Sequence, residues 1–294
     1  MAFRLPRASR DEVAQFEAAY SSETRRRRAR RALTAIAVLL VLILCAVAED
    51  IEPNIFFARI GHLGDYVVRL FHLESGAAVF TDPAEWFWNW RAWSALLGET
   101  LLIAYAATVI GATIAFVASF LAAQNLTRSR LVPFLTRRFL EICRTVPDIV
   151  FALVFIFAFG LGALPGVLAL ALHTAGSLGK LFRELVENID LKPVDALTAT
   201  GANFWQVIRF AVWPQVASNY VGYGLLRFEM NVRGATVVGF VGAGGIGQDL
   251  VAAIRKFYYT DVSAILVMII VTVFVIDLTT ERLRHRLLDL GEAR

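Results

Sequence analysis

Apolar residues in this chain gather into long uncharged runs instead of alternating with polar ones. The runs are Ala32–Ala48, Thr100–Thr127, Ile149–Gly179, Phe210–Leu226, Gly234–Gln248 and Val262–Ile276. A helix needs about 20 mostly apolar residues to cross a bilayer core, with ~17 near the lower limit. Ile149–Gly179, at 31 residues, is too long for one ordinary span. Gly160-Leu-Gly-Ala-Leu-Pro165-Gly166 interrupts it near its middle. It therefore divides into a third span, about Leu140–Phe159, and a fourth, about Gly166–Val186. Further spans are predicted near Trp213–Arg233 and Val262–Thr280. The expected fold class is all-α and integral to a membrane, with six transmembrane helices.

Charge orients these spans, because basic flanking segments stay inside. Residues 1–31 carry nine arginines, whereas Glu49–Glu99 holds three basic residues against eight acidic ones. The former is predicted cytoplasmic and the latter external, with Trp86, Trp88, Trp90 and Trp93 suited to an interfacial belt. Arg128-Ser-Arg130 to Arg137-Arg138, with four basic residues and no acid, returns the chain inside. Six spans place Arg282-Leu-Arg284-His-Arg286 inside as well, so both termini are expected to be cytoplasmic. Helical spacing also predicts short interfacial helices over Asp11–Ser22 and Ile51–Phe71.

Composition agrees. The chain is 57% hydrophobic and 18% charged, against about 25% charged in an average globular domain, and its mean hydropathy is +0.60. The first run reads as an uncleaved span, since no small-residue cleavage site closes it before Glu49-Asp50. Cys45 and Cys143 suit apolar packing, and His62, His72, His173 and His285 lack metal-ligand spacing. No G-x-x-x-x-G-K-[ST] loop occurs, so this chain is not expected to hydrolyse ATP.

The loop between spans four and five carries the most specific pattern. Pro193 suits the opening of a short helix, Asp195 its first turn and Gly201 its end. A second element, Phe204–Phe210, leads to Pro214. The loop resembles the signature of ABC-importer permeases: E-A-A, three residues, Gly, nine residues, then I-x-L-P. Asp195, Ala196, Gly201 and Pro214 occupy the Glu, first Ala, Gly and Pro positions, while Leu197, Ala211 and Trp213 depart from it. Leu168–Phe182 and Arg227–Gly247 are similar to phosphonate-importer permeases, and the likeness runs from about Glu99 to Leu288.

That resemblance implies the type I importer permease fold in a bacterial inner (plasma) membrane. It implies a second permease copy as a homodimer and two ATP-binding cassette ATPase subunits, which carry ATP and Mg. An external binding protein is implied to deliver phosphonate or a related phosphorus oxyanion, phosphate or phosphite. Asp195, Ala196, Gly201 and Pro214 are the implied ATPase-coupling residues. Catalytic residues, metals, cofactors bound by this chain and nucleic acid have no place in this reading. The divisions are a basic segment 1–31, a first transmembrane helix 32–48, an external segment 49–94 and a permease core 95–288, with the coupling loop at 188–212. A permease for another small solute such as methionine is the alternative.

His173, Arg227, Glu229, Asn231, Arg233, Gly242, Gly244, Gly245 and Gly247 are the candidates for a translocation pathway or gate. Ionisable residues at membrane depth are costly and face a cavity or a partner. Glu229 and Arg233, four residues apart, can pair on one helix. Arg227 has Tyr223 and Asn231 at those distances and no acid, so it either faces an anion or snorkels from a helix end. His173 either bonds a neighbouring helix or gates the path. Gly242-Ala-Gly-Gly-Ile-Gly247 matches G-x-G-x-x-G after the strand-like Thr236–Val241, which would suit a membrane enzyme with a nucleotide cofactor. The other strands that fold needs are missing, and the glycines fit close backbone packing at an outer mouth.

Overall fold

The computed structural model describes residues 10–49, 53–73, 76–126 and 129–292. Among these residues the helices are, in order, α1 Arg10–Ala48, α2 Pro53–Leu70, α3 Pro83–Trp86, α4 Trp90–Ala122, α5 Leu131–Thr145 and α6 Asp148–Phe159. They continue with α7 Ala163–Glu187, α8 Lys192–Ala199, α9 Phe204–Val207, α10 Trp213–Gly239, α11 Ile246–Arg255 and α12 Tyr259–Glu292. A single bridge between His72 and Ala78 is the closest approach to sheet structure among the described residues. The all-α class is as expected.

The chain divides into two units after Tyr66. In the first, α1 runs unbroken from Arg10, so the short helix expected over Asp11–Ser22 is continuous with the first span. Ala, Glu and Arg are good helix formers, and Glu23–Arg27 adds an i,i+4 pair at 2.8 Å. The helix expected over Ile51–Phe71 forms as α2, although Ile51 lies outside the described residues, as do Asp50 and Arg128.

The second unit is built on α4, α7 and α10. α4 and α7 share the most extensive interface, because their facing positions are small. Ala104, Ala107, Ala115, Ala171 and Ala175 are all buried there. At Gly111 a Cβ would lie 2.7 Å from the Ala171 carbonyl oxygen. Helices in lipid gain by such close approach, since the hydrophobic effect alone does not drive them together. One end of the unit is an aromatic core, where the Phe182 and Tyr220 rings stack 3.8 Å apart and the Tyr220 hydroxyl meets Ser119 Oγ at 2.8 Å.

Three helical stretches are long and apolar enough to cross a membrane unaided: Glu23–Ala48, Trp90–Ala122 and Tyr259–Arg286. Leu131–Thr145 and Asp148–Phe159 together make a fourth, bent by 90°. Length and composition thus reach three or four spans where six were expected. The cause lies in the central helices. α7 carries Lys180, Arg183, Glu184 and Glu187 near its end, and α10 carries Arg227, Glu229 and Arg233.

Three further expectations change. The third span is not one straight helix, because Pro147 lacks an N–H and pushes Val146 into an extended conformation, breaking the helix between α5 and α6. α10 runs to Gly239, so Thr236–Gly239 is helical and Arg227 stands mid-helix rather than at a helix end. Only Trp88 and Trp90 of the expected belt are exposed. Trp93 is buried, and Trp86 is buried with its Nε1 donating to Ser263 Oγ at 2.9 Å.

Candidate functional site

The segment after α7 is held by local devices. Pro193 sits in the first turn of α8, where its missing N–H costs nothing, and Asp195 lies in the same turn, where a carboxylate favours the helix dipole. At the other end Gly201 adopts φ +81°. Gly201 N donates to the Thr198 carbonyl at 3.0 Å and Ala202 N to the Leu197 carbonyl at 3.2 Å, the paired bonds of a left-handed helix stop. Asn203 then starts α9 with a reciprocal cap: Gln206 N donates to Asn203 Oδ1 at 2.9 Å, and Asn203 N to Gln206 Oε1 at 2.8 Å. Val194, Val207 and Ile208 are buried against the aromatic core, while Asp195, Ala196 and Gly201 stay exposed. A π-type turn, Ile208–Val212, leads into α10, where the exposed Pro214 occupies the first turn.

Deeper in the unit, polar groups tie α4, α7 and α10 together. Asn231 is 2% exposed, and its Nδ2 donates to Thr108 Oγ1 at 2.8 Å and to Thr174 Oγ1 at 2.9 Å. Arg227 lies one turn away, half-buried, with Nε 3.4 Å from Thr174 Oγ1. It makes no ion pair among the described residues. His173 precedes Thr174, and its Nδ1 lies 3.2 Å from the Val146 carbonyl at the break between α5 and α6. Asp148, just beyond that break, is close enough to act through space on both Arg227 and His173.

Other expected site residues fall into separate groups. Arg233 pairs with Glu229 on its own helix, and its Nη1 reaches Asp277 Oδ2 of α12 at 3.5 Å. Gly242, Gly244 and Gly245 are buried in the turn from α10 to α11, and Gly247 is buried in the first turn of α11. Gly242, Gly244 and Gly245 take φ of +97°, +84° and +76°. The turn is pinned by Ile246 N donating to Thr100 Oγ1 at 2.9 Å and Gly162 N to the Gly242 carbonyl at 3.1 Å. A Cβ at Gly244 would stand 2.9 Å from Glu99 Oε1. These glycines follow a helix and face packed protein, which removes the strand-turn-helix context a dinucleotide requires. Among the described residues no group of three His, Cys, Asp or Glu could hold a metal.

Residues 114–289, more than half of the chain, match the family described as the binding-protein-dependent transport system inner membrane component. The chain belongs to that family. Among its relatives, the phosphite transport system permease protein PtxC of Stutzerimonas stutzeri is 41% identical over 191 residues, covering 65% of this chain and 70% of its own length. The phosphate-import permease protein PhnE of Mycolicibacterium smegmatis is 40% identical over 191 residues, 65% of this chain and 36% of its own. The putative cryptic phosphonate transport system permease protein PhnE2 of Escherichia coli is 52% identical over 118 residues, 40% of this chain and 97% of its own. An inward-facing structure of the MetNI methionine ABC transporter superposes with a TM-score of 0.57 at 20% identity, covering 66% of this chain and 95% of that one. At that identity the likeness speaks for the type I permease fold alone.

As a permease the chain is a transport subunit of the inner membrane, and ATP hydrolysis belongs to a separate chain. Several residues of its interior escaped the sequence. Thr108, Thr174, Asp148 and Asp277 carry no local signal, since their partners lie on other helices. The Asn203–Gln206 cap did carry one: a capping residue three positions before Gln, ahead of an apolar run.

Proposed function

We propose that this permease forms the translocation pathway of an ATP-driven importer for phosphonate or a related phosphorus oxyanion, phosphite or phosphate. Two copies of the chain pair as a homodimer on two ATP-binding cassette ATPase subunits, which bind ATP and Mg, and an external binding protein supplies the solute. α1, α4, the bent α5–α6 pair, α7, α10 and α12 are the six crossings, with both termini and residues 188–212 cytoplasmic. The exposed face of α8, with Asp195, Ala196 and Gly201, meets the ATPase, and Pro214 opens the crossing that follows.

One observation carries the substrate reading. Arg227 is a half-buried guanidinium at mid-helix with no ion pair among the described residues. An arginine at the centre of a membrane helix costs on the order of 3 kcal/mol, so a retained one needs a compensating charge. Asp148 offers part of it at a distance, and a passing oxyanion offers the rest, because a planar fork matches tetrahedral oxygens. The relatives named for phosphite, phosphate and phosphonate transport support the same class. Glu229 and Asp277 both engage Arg233, so its charge is already met and the trio serves as a structural tie beside the path.

The test is uptake of labelled methylphosphonate by vesicles carrying the whole complex. Unlabelled phosphite or phosphate should compete, and methionine at equal concentration should not. Competition by methionine without competition by any phosphorus oxyanion overturns the substrate class.

A further inference from the structure

A second cluster of cations, which does not include Arg227, lies in a cleft between α5 and the last turns of α7. Arg137, Glu141, Arg144, Gly176, Lys180 and Arg183 line it, with a cavity volume of about 50 Å³. The cleft is small because its floor is tight: a Cβ at Gly176 would lie 2.6 Å from Arg144 N and 2.7 Å from the Leu140 carbonyl oxygen.

The acids around it do not neutralise it. Glu187 is engaged by Arg137 at 2.5 Å, and Arg137 Nε also donates to the Ala122 carbonyl at 2.9 Å. Glu141 is held by Arg138. Lys180 and Arg183 stand 3.6 and 3.7 Å from Glu184, and Arg183 Nε stands 3.7 Å from Glu187, all beyond hydrogen-bond length. Among the described residues, Arg183 Nε is shielded from solvent with no hydrogen-bond acceptor, and Arg144 has no ion pair. Counting Arg137, Arg138, Arg144, Lys180 and Arg183 against Glu141, Glu184 and Glu187 leaves two positive charges in excess.

We infer that this cleft is a binding site for a compact phosphate group, held by Arg144, Lys180 and Arg183. Guanidinium and ammonium donors that lack acceptors, gathered over a shallow floor, suit a tetrahedral anion and leave no room for a peptide. Basic pockets between membrane helices on the cytoplasmic side receive anionic lipid headgroups in this way, and a free phosphorus oxyanion presents the same oxygens. The site does not depend on which solute the permease carries.

The test uses the full complex in detergent and two probes, inorganic phosphate and dihexanoyl phosphatidylglycerol, with the matching phosphatidylcholine as a headgroup control. At least one probe should bind saturably, and Arg144→Gln/Lys180→Gln, at two exposed positions, should weaken it at least tenfold. Lys180→Glu alone should also weaken it, which covers failure of the double variant to fold. Arg91→Gln, an exposed cation at the end of α4 opposite the Ala122 carbonyl that Arg137 engages, should bind as the unaltered complex does. Binding of phosphate alone assigns a free oxyanion site; binding of phosphatidylglycerol alone, above phosphatidylcholine, assigns a headgroup site. The inference is overturned if neither probe saturates, if the cleft variants bind normally, if phosphatidylcholine is the only lipid match, or if Arg91→Gln weakens binding as much as the cleft variants do.

Discussion

The interior around Asn231 and the exposed segment after α7 are stabilised by opposite means. The interior rests on close approach of helices far apart in sequence, through Gly111 against Ala171 and Asn231 against Thr108 and Thr174. The segment Lys192–Val212 rests on its own neighbours, through Pro193, the Gly201 stop and the Asn203–Gln206 cap, with a few apolar anchors beneath. The difference suits the roles proposed for them, pathway wall and coupling element. A pathway wall must keep its shape without water to satisfy stray polar groups. A coupling element must hold its fold while its outer face remains free to meet another chain.

That contrast can be broken most sharply at Gly111. Gly111→Leu puts a side chain where the Ala171 carbonyl and Thr174 stand, and overpacking of this kind costs about 3 kcal/mol. Little folded protein should be recovered from membranes, and what is recovered should melt well below the parent. A parent-like midpoint would show that α4 and α7 are not pressed together as described. Next in size, Asn231→Leu removes three interhelical hydrogen bonds, each about 0.6 kcal/mol on average in membrane proteins. Its thermal midpoint should fall measurably, by about 2 kcal/mol in stability, with the complex still assembling. No change at all means the polar tie contributes nothing to the interior.

The smallest effect belongs to the coupling segment. Asn203→Ala removes a helix cap worth about 1 kcal/mol, and the loss should stay local. Amide exchange over residues 204–212 should quicken about fivefold while the midpoint of the bundle stays put. A global drop in stability would mean the segment is not locally held, and the two regions are then one cooperative unit.

The same contrast explains what could be read in advance. Pro193, Asp195 and Gly201 act within a few residues of themselves, so their helix and its stop were legible from the chain alone. α7 was legible to within a few residues, because Gly160–Gly166 breaks the apolar run before it. The length of α10 was not, since Thr236 and Val237 favour strands by local preference and only packing against α4 and α7 makes them helical. Nor were the partners of Arg227 and His173, since Thr174 reaches Arg227 from another helix and Val146 meets His173 only at the 90° bend between α5 and α6. Trp86 and Trp93 looked like interface anchors because their burial depends on Ser263 and Ile246, more than 150 residues away.

The central claim, that Arg227 serves a passing oxyanion, is most directly tested by transport rate normalised to the complex recovered from membranes. Arg227→Ala should leave recovery unchanged and slow phosphonate uptake about tenfold, the loss expected for one charge-assisted hydrogen bond. Arg227→Lys should restore only part of the rate, because a point charge replaces a planar fork. Normal uptake in Arg227→Ala contradicts the account, and so does a loss of assembly that Arg227→Lys fully repairs.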